Sequence, residues 1–72
     1  VTYGEKAVGL SFNPSGDENV QKLKEAYAEI IDLLNEARDE VSDSEAKRLY
    51  SIAITEAQAA QMWSVKAATW RS

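Results

Sequence analysis

Three groups of residues in this chain could do chemistry. The first is the loop Asn13-Pro14-Ser15-Gly16, which feeds a helix start and is followed by Lys22 and Lys24. Free backbone amides at a helix N-terminus attract anions. Lysines near that end oppose the helix dipole, so a bound phosphate would give their placement a reason. The plain alternative is that Asp17 and Glu18 already offset the dipole and the lysines are solvated. The second group is aromatic. Tyr3 and Phe12 could stack on a planar ring such as a nucleobase, or could simply pin the N-terminal segment. The third is a polar row, Thr55, Gln58, Met62, Lys66 and Thr69, at helical spacing within an apolar stretch. Such a row lines a ligand channel in an oligomer, faces solvent, or forms hydrogen bonds between subunits.

Composition narrows the chemistry. The chain of 72 residues has no Cys and no His. Disulfides and Cys/His zinc sites are excluded, no thiol nucleophile exists, and no side chain titrates near neutral pH without a strong perturbation. An enzyme is disfavoured, and neither a metal nor a cofactor is expected. Net charge is −4, with no basic stripe for a DNA or RNA polymer and no polybasic patch for a membrane surface. A small anionic ligand needs only a few local cations and stays open. No apolar run approaches a membrane span, and the first residues carry no signal pattern. A cytoplasmic protein is the default expectation, with a start Met and a few further residues ahead of Val1.

The elements that must position these residues follow from spacing. All three Gly and the single Pro fall in residues 1–16, which read as an irregular N-terminal arm, with a weakly signalled strand at Ala7–Phe12. Residues 17–72 read as a helical hairpin domain. Its first helix starts at an S-x-x-E capping box, Ser15 to Glu18. It buries a seam of Val20, Leu23, Tyr27, Ile30, Leu34, Ala37 and Val41. Glu25, Glu29, Asp32, Glu36 and Asp39 form its solvated face. A second box, Ser42 to Glu45, breaks the chain and starts a helix running from about Asp43 to Ala68 or beyond. So short a connection makes the helices antiparallel.

The second helix is apolar on more than one face. One stripe follows Leu49, Ile52, Ala53, Ala60 and Trp63, another Ile54, Ala57, Val65 and Ala68. Each face needs a cover, and a chain this short is marginal alone. The expected fold is therefore all-α: a two-helix antiparallel hairpin with an N-terminal arm, assembled into a homo-oligomeric helical bundle. The alternative is that the arm folds back over the second face.

Two stretches, Gly4 to Ser15 (GEKAVGLSFNPS) and Ser51 to Trp70 (SIAITEAQAAQMWSVKAATW), resemble phage anti-CBASS sponges that carry a small hairpin domain. The resemblance covers nearly the whole chain. It implies a homo-hexamer that binds cyclic dinucleotide signals of bacterial CBASS immunity without cleaving them, in the cytoplasm of the infected host. A cyclic trinucleotide is implied at a separate site in some members, and a related branch counters Thoeris immunity by binding cyclic ADP-ribose-type signals. By the same resemblance the dinucleotide pocket draws on Tyr3 or Phe12 for stacking and on Lys24 or Lys22 for phosphate. Lys6, Asn13 and Ser15 stand beside them. A trinucleotide site draws on Thr55 and Gln58, with Arg48 toward phosphate. The rival reading is a structural helical adaptor that binds another protein through its acidic face.

Overall fold

The computed structural model describes residues 1–71 and contains three helices. They are α1 (Tyr3–Val8), α2 (Glu18–Glu40) and α3 (Ser44–Ala68). Ser72, at the end of the expected hairpin domain, lies outside the described residues. None of the helices is long and apolar enough to cross a membrane.

The hairpin stands as the spacing predicts. α2 and α3 are antiparallel, and their cross-links climb one helix while descending the other. Tyr27 Oη meets Ser64 Oγ at 3.5 Å, and Arg38 Nη1 donates to Ser51 Oγ at 3.0 Å. Lys47 Nζ then donates to the Arg38 carbonyl at 2.9 Å, closing the turn.

Both helix starts differ in detail from the sequence expectation. Neither S-x-x-E box forms. Asp17 caps α2, its carboxylate accepting from Asn19 N at 2.7 Å and Val20 N at 3.2 Å. Asp43 caps α3, accepting from Ala46 N at 2.8 Å. In each case an aspartate follows the serine more closely onto the helix, and a charged acceptor gains more from the helix dipole than a hydroxyl does.

The arm is the larger correction. No strand forms among the described residues; residues 3–8 are helical instead. A reciprocal capping box supports the start of α1: Glu5 N donates to Thr2 Oγ1 and Thr2 N donates to Glu5 Oε1. Gly9, at φ 62°, ends the helix in the left-handed region. Gly9 N then donates to the Lys6 carbonyl and Leu10 N to the Glu5 carbonyl, which closes the last turn.

α1 packs along α2 and scarcely touches α3. This moves the buried face of α2. Val8, Ala28, Ile31 and Ile54 form the core, with Ala7, Leu10, Tyr27, Leu34 and Ala57 against it. The predicted seam holds at Val20, Tyr27 and Leu34. Ile30 is 46% exposed, because the arm draws Lys24, Ala28 and Ile31 inward on the adjoining side. Asp32, expected on the solvated face, instead accepts the Gly4 N–H at 2.6 Å.

The arm therefore covers a face of α2, and the stripe of α3 through Leu49, Ile52 and Trp63 stays open. Leu49, Ile52, Met62, Trp63 and Trp70 are all exposed. The three helices lie side by side in a slab with extents of 46 × 25 × 13 Å. A slab about one helix deep has little interior, and Ile31 is its one large fully buried side chain among the described residues.

Gly4 is the tightest contact in this packing. A Cβ there would collide with the carbonyl of Ala28 and come 2.9 Å from Asp32 Oδ1. We expect Gly4→Ala to lower stability by about 1–3 kcal/mol, the usual cost of overpacking, with the midpoint of urea denaturation as the measure. An unchanged midpoint would mean that α1 does not approach α2 so closely.

Candidate functional site

The sequence-predicted residues do not fall in one place. Four of them line a single hollow of about 220 Å³: Phe12, Asn13, Ser15 and Lys24, closed by Pro14, Val20 and, from α3, Val65 and Thr69. Lys22 lines a separate hollow of about 580 Å³, with Asn19 and Leu23 from α2 and Ser64, Ala67 and Ala68 from α3. Lys6 lines a third, about 430 Å³, with Glu5, Gly9, Leu10, Ser11 and Gln21. Tyr3 belongs to none of these three. It stands near the hairpin turn, 48% exposed, with the Arg38 guanidinium 5.9 Å from its ring centre.

The loop that forms the first hollow is built from local bonds. Phe12 N donates to the Gly9 carbonyl at 2.9 Å, and Gly16 N, with φ 64° at Gly16, donates to the Asn13 carbonyl at 3.1 Å. Asn13 Nδ2 donates to the Asp17 carbonyl, and Ser15 Oγ donates to Asn13 Oδ1 while accepting from Asp17 N. An anion site on bare helix amides was one expectation here. The structure corrects it: the Asp17 carboxylate already receives the first-turn amides of Asn19 and Val20. The chain supplies its own anion at that terminus.

Lys24 is the least expected member. It is only 6% exposed. Its ammonium donates to the Gly9 carbonyl at 3.0 Å and to the Phe12 carbonyl, and it lies 5.6 Å from the Phe12 ring centre. An ammonium has three protons to donate, so two are engaged with the arm. Phe12 itself is 71% exposed and presents an open ring face. Lys22 and Lys6 are exposed cations.

The second predicted set is more dispersed. Arg48 is held by Glu45 through two bonds of 2.8 Å. Thr55 Oγ1 donates to the Ser51 carbonyl at 3.1 Å on an exposed face, and Gln58 is half-buried. Arg48 and Thr55 are two helical turns apart, roughly 10 Å along the axis, and the three side chains share none of the described hollows. In the polar row, Lys66 lies 5.5 Å from the Trp63 ring centre and Thr69 Oγ1 donates to the Val65 carbonyl.

Asp32, Gly4 and Arg38 escaped the sequence reading. The signals were there for the first two. Thr2-x-x-Glu5 is a capping box, and Lys24, Ala28 and Asp32 repeat every four residues on one helix face.

With the geometry set out, the comparison with protein families is decisive. The family model described as the Acb2/Tad1 hairpin domain matches residues 5–69. The chain belongs to this family. The match takes in both hairpin helices and most of α1, so the Acb2/Tad1 hairpin is here three helices and not two alone. This is the family of anti-CBASS and anti-Thoeris sponges, proteins that take up cyclic nucleotide signals. Comparison with curated proteins and with solved structures gave no match.

The Arg48 pairing gives a direct check on the second set. The guanidinium beside Glu45 holds that carboxyl below its ordinary range. In an NMR titration Glu45 is expected to titrate below the ordinary glutamate value, and Arg48→Ala should return it toward that value. A Glu45 at the ordinary glutamate value would mean Arg48 is free to meet a ligand.

Proposed function

We propose that this protein sequesters cyclic dinucleotide second messengers of bacterial CBASS defence and holds them without cleaving them. Membership of the Acb2/Tad1 family carries the reading. The class of signal is the family's; the dinucleotide is our assignment, supported by the arm. A cyclic dinucleotide has two flat rings and two negative charges. It needs aromatic faces and cations together; the arm offers Phe12 and Tyr3 with Lys6, and Lys22 stands exposed on α2. Sequestration without turnover fits a chain with no His and no Cys. The protein would act in the cytoplasm of the infected bacterium, with no cofactor and no metal.

No hollow of a single copy brings Phe12 or Tyr3 together with Lys6 or Lys22. The hollow holding Phe12, Asn13, Ser15 and Lys24 measures about 220 Å³, below the ~300–1,000 Å³ of most small-molecule sites. The open stripe with Trp63, 68% exposed, needs a cover. A homo-oligomer, a hexamer by the family resemblance, meets both needs. Subunits would close over the α3 stripe and complete the hollows from a neighbour, doubling the cations and rings by symmetry. The set Arg48, Thr55 and Gln58 would be gathered by the same route for a cyclic trinucleotide.

The family description also covers the Thoeris branch, so a cyclic ADP-ribose-type signal is the second reading. A structural adaptor working through the acidic face has less behind it, since Asp32 of that face is turned inward onto α1.

Calorimetry against cyclic di-AMP, cyclic di-GMP, cyclic GMP–AMP, a cyclic trinucleotide and cyclic ADP-ribose separates these readings. We expect tight binding of a cyclic dinucleotide and recovery of intact ligand by chromatography after the protein is denatured. Binding of cyclic ADP-ribose alone would favour the Thoeris reading; no binding would favour the adaptor; a cleaved product would make the protein an enzyme. Phe12→Ala and Lys22→Ala should each weaken dinucleotide binding roughly tenfold to a hundredfold. Light scattering should give a stable oligomer at micromolar concentration, and a monomer would defeat the assembly proposed.

A further inference from the structure

Lys24, Ala28 and Asp32 stand four residues apart on α2 and so share a face. Two of them meet the start of α1 and the third meets the loop past its end. At the N-terminus of α1, Asp32 Oδ1 accepts the Gly4 N–H at 2.6 Å. At the same residue the Ala28 carbonyl lies against the α1 backbone, where no Cβ fits. Past the C-terminus of α1, Lys24 Nζ donates to the carbonyls of Gly9 and Phe12. α1 therefore runs antiparallel to α2. A carboxylate faces the positive end of its dipole and an ammonium the negative end. A helix of six residues is far too short to persist alone in water, so its order depends on this seat.

We infer that Lys24 and Asp32 are positioning residues that hold the arm in place for ligand binding. The inference rests on the cyclic-dinucleotide reading above and gives Lys24 a different part in it. Lys24 anchors the loop that carries the stacking ring, and the phosphates fall to the exposed lysines. Its burial favours this assignment, since a buried ammonium needs several dipoles to offset lost hydration, and the two carbonyls provide them. Asp32 gives the independent handle. It is absent from the lining of all three hollows, so its effect on binding must pass through α1. An arm that is ordered beforehand binds more tightly because the ligand need not order it.

Hydrogen–deuterium exchange on the free protein, paired with calorimetry using cyclic GMP–AMP, tests this. The reporting amides are those of Gly9, Leu10 and Phe12, all hydrogen-bonded in the arm. Asp32→Ala and Lys24→Met should each speed exchange at these amides roughly tenfold, with a similar loss of affinity. Amides inside α2 and α3 should exchange as before. Asp32→Asn keeps an oxygen acceptor for Gly4 and should preserve most of both properties. If Lys24→Met weakens binding while arm exchange stays unchanged, Lys24 meets the phosphate itself and the inference is wrong. It is equally wrong if Asp32→Ala loosens the arm and leaves affinity intact. Were the wild type to bind no cyclic dinucleotide, the functional reading would fall, and exchange would still decide whether the two residues hold the arm.

Discussion

The structure depends on one close approach, the backbone of α1 at Gly4 against the carbonyl of Ala28 on α2. Only a residue without a side chain allows it. Once made, it brings Val8 into the core beside Ile31 and Ile54 and sets Leu10 against them. It also fixes where the chain leaves α1, and so where Phe12 and the loop to Asp17 must run. Two charged side chains at the ends of the contact turn a weak helix into a defined one. Without this contact, Ala28 and Ile31 would lose the cover of Val8 and Leu10.

How much of this could be read from the sequence varies by scale. The long helices were legible because amphipathic spacing repeats many times in each, and repetition averages out local ambiguity. Their starts were legible to within two residues. The choice of Asp17 over Ser15, and of Asp43 over Ser42, turns on which side chain reaches the free amides, and adjacent cap formers leave that open. The arm was the hard part. Gly and Pro suggested turns, and Gly9 and Gly16 do turn, but Gly4 serves packing. A six-residue helix has no periodicity to speak of, and its stability comes from contacts with α2 that no local pattern reveals.

The site was legible in kind and only partly in place. Phe12, Asn13, Ser15 and Lys24 do gather around one hollow, because all four belong to or touch the same loop. Tyr3 and Lys6 were assigned to the same group from proximity in sequence, yet α1 carries them to other parts of the surface. Lys24 stood out because a lysine near a helix start is electrostatically odd. The oddity was real, and its resolution lies in the carbonyls of the arm. Arg48, Thr55 and Gln58 sit on one helix, where no single chain can close around them.

The division of labour within the arm has an evolutionary consequence. Its attachments are backbone groups, a glycine, the inward side chains of Val8 and Leu10, and two inward-facing charges on another helix. The side chains it turns outward, Tyr3, Lys6, Ser11 and Phe12, are exposed, and exposed positions usually accept substitution at small cost in stability. The letters that read the surroundings can thus change without disturbing those that hold the fold. A protein built this way can drift in ligand preference by single steps, keeping its scaffold through each of them, which is the property a contest with a diversifying opponent rewards.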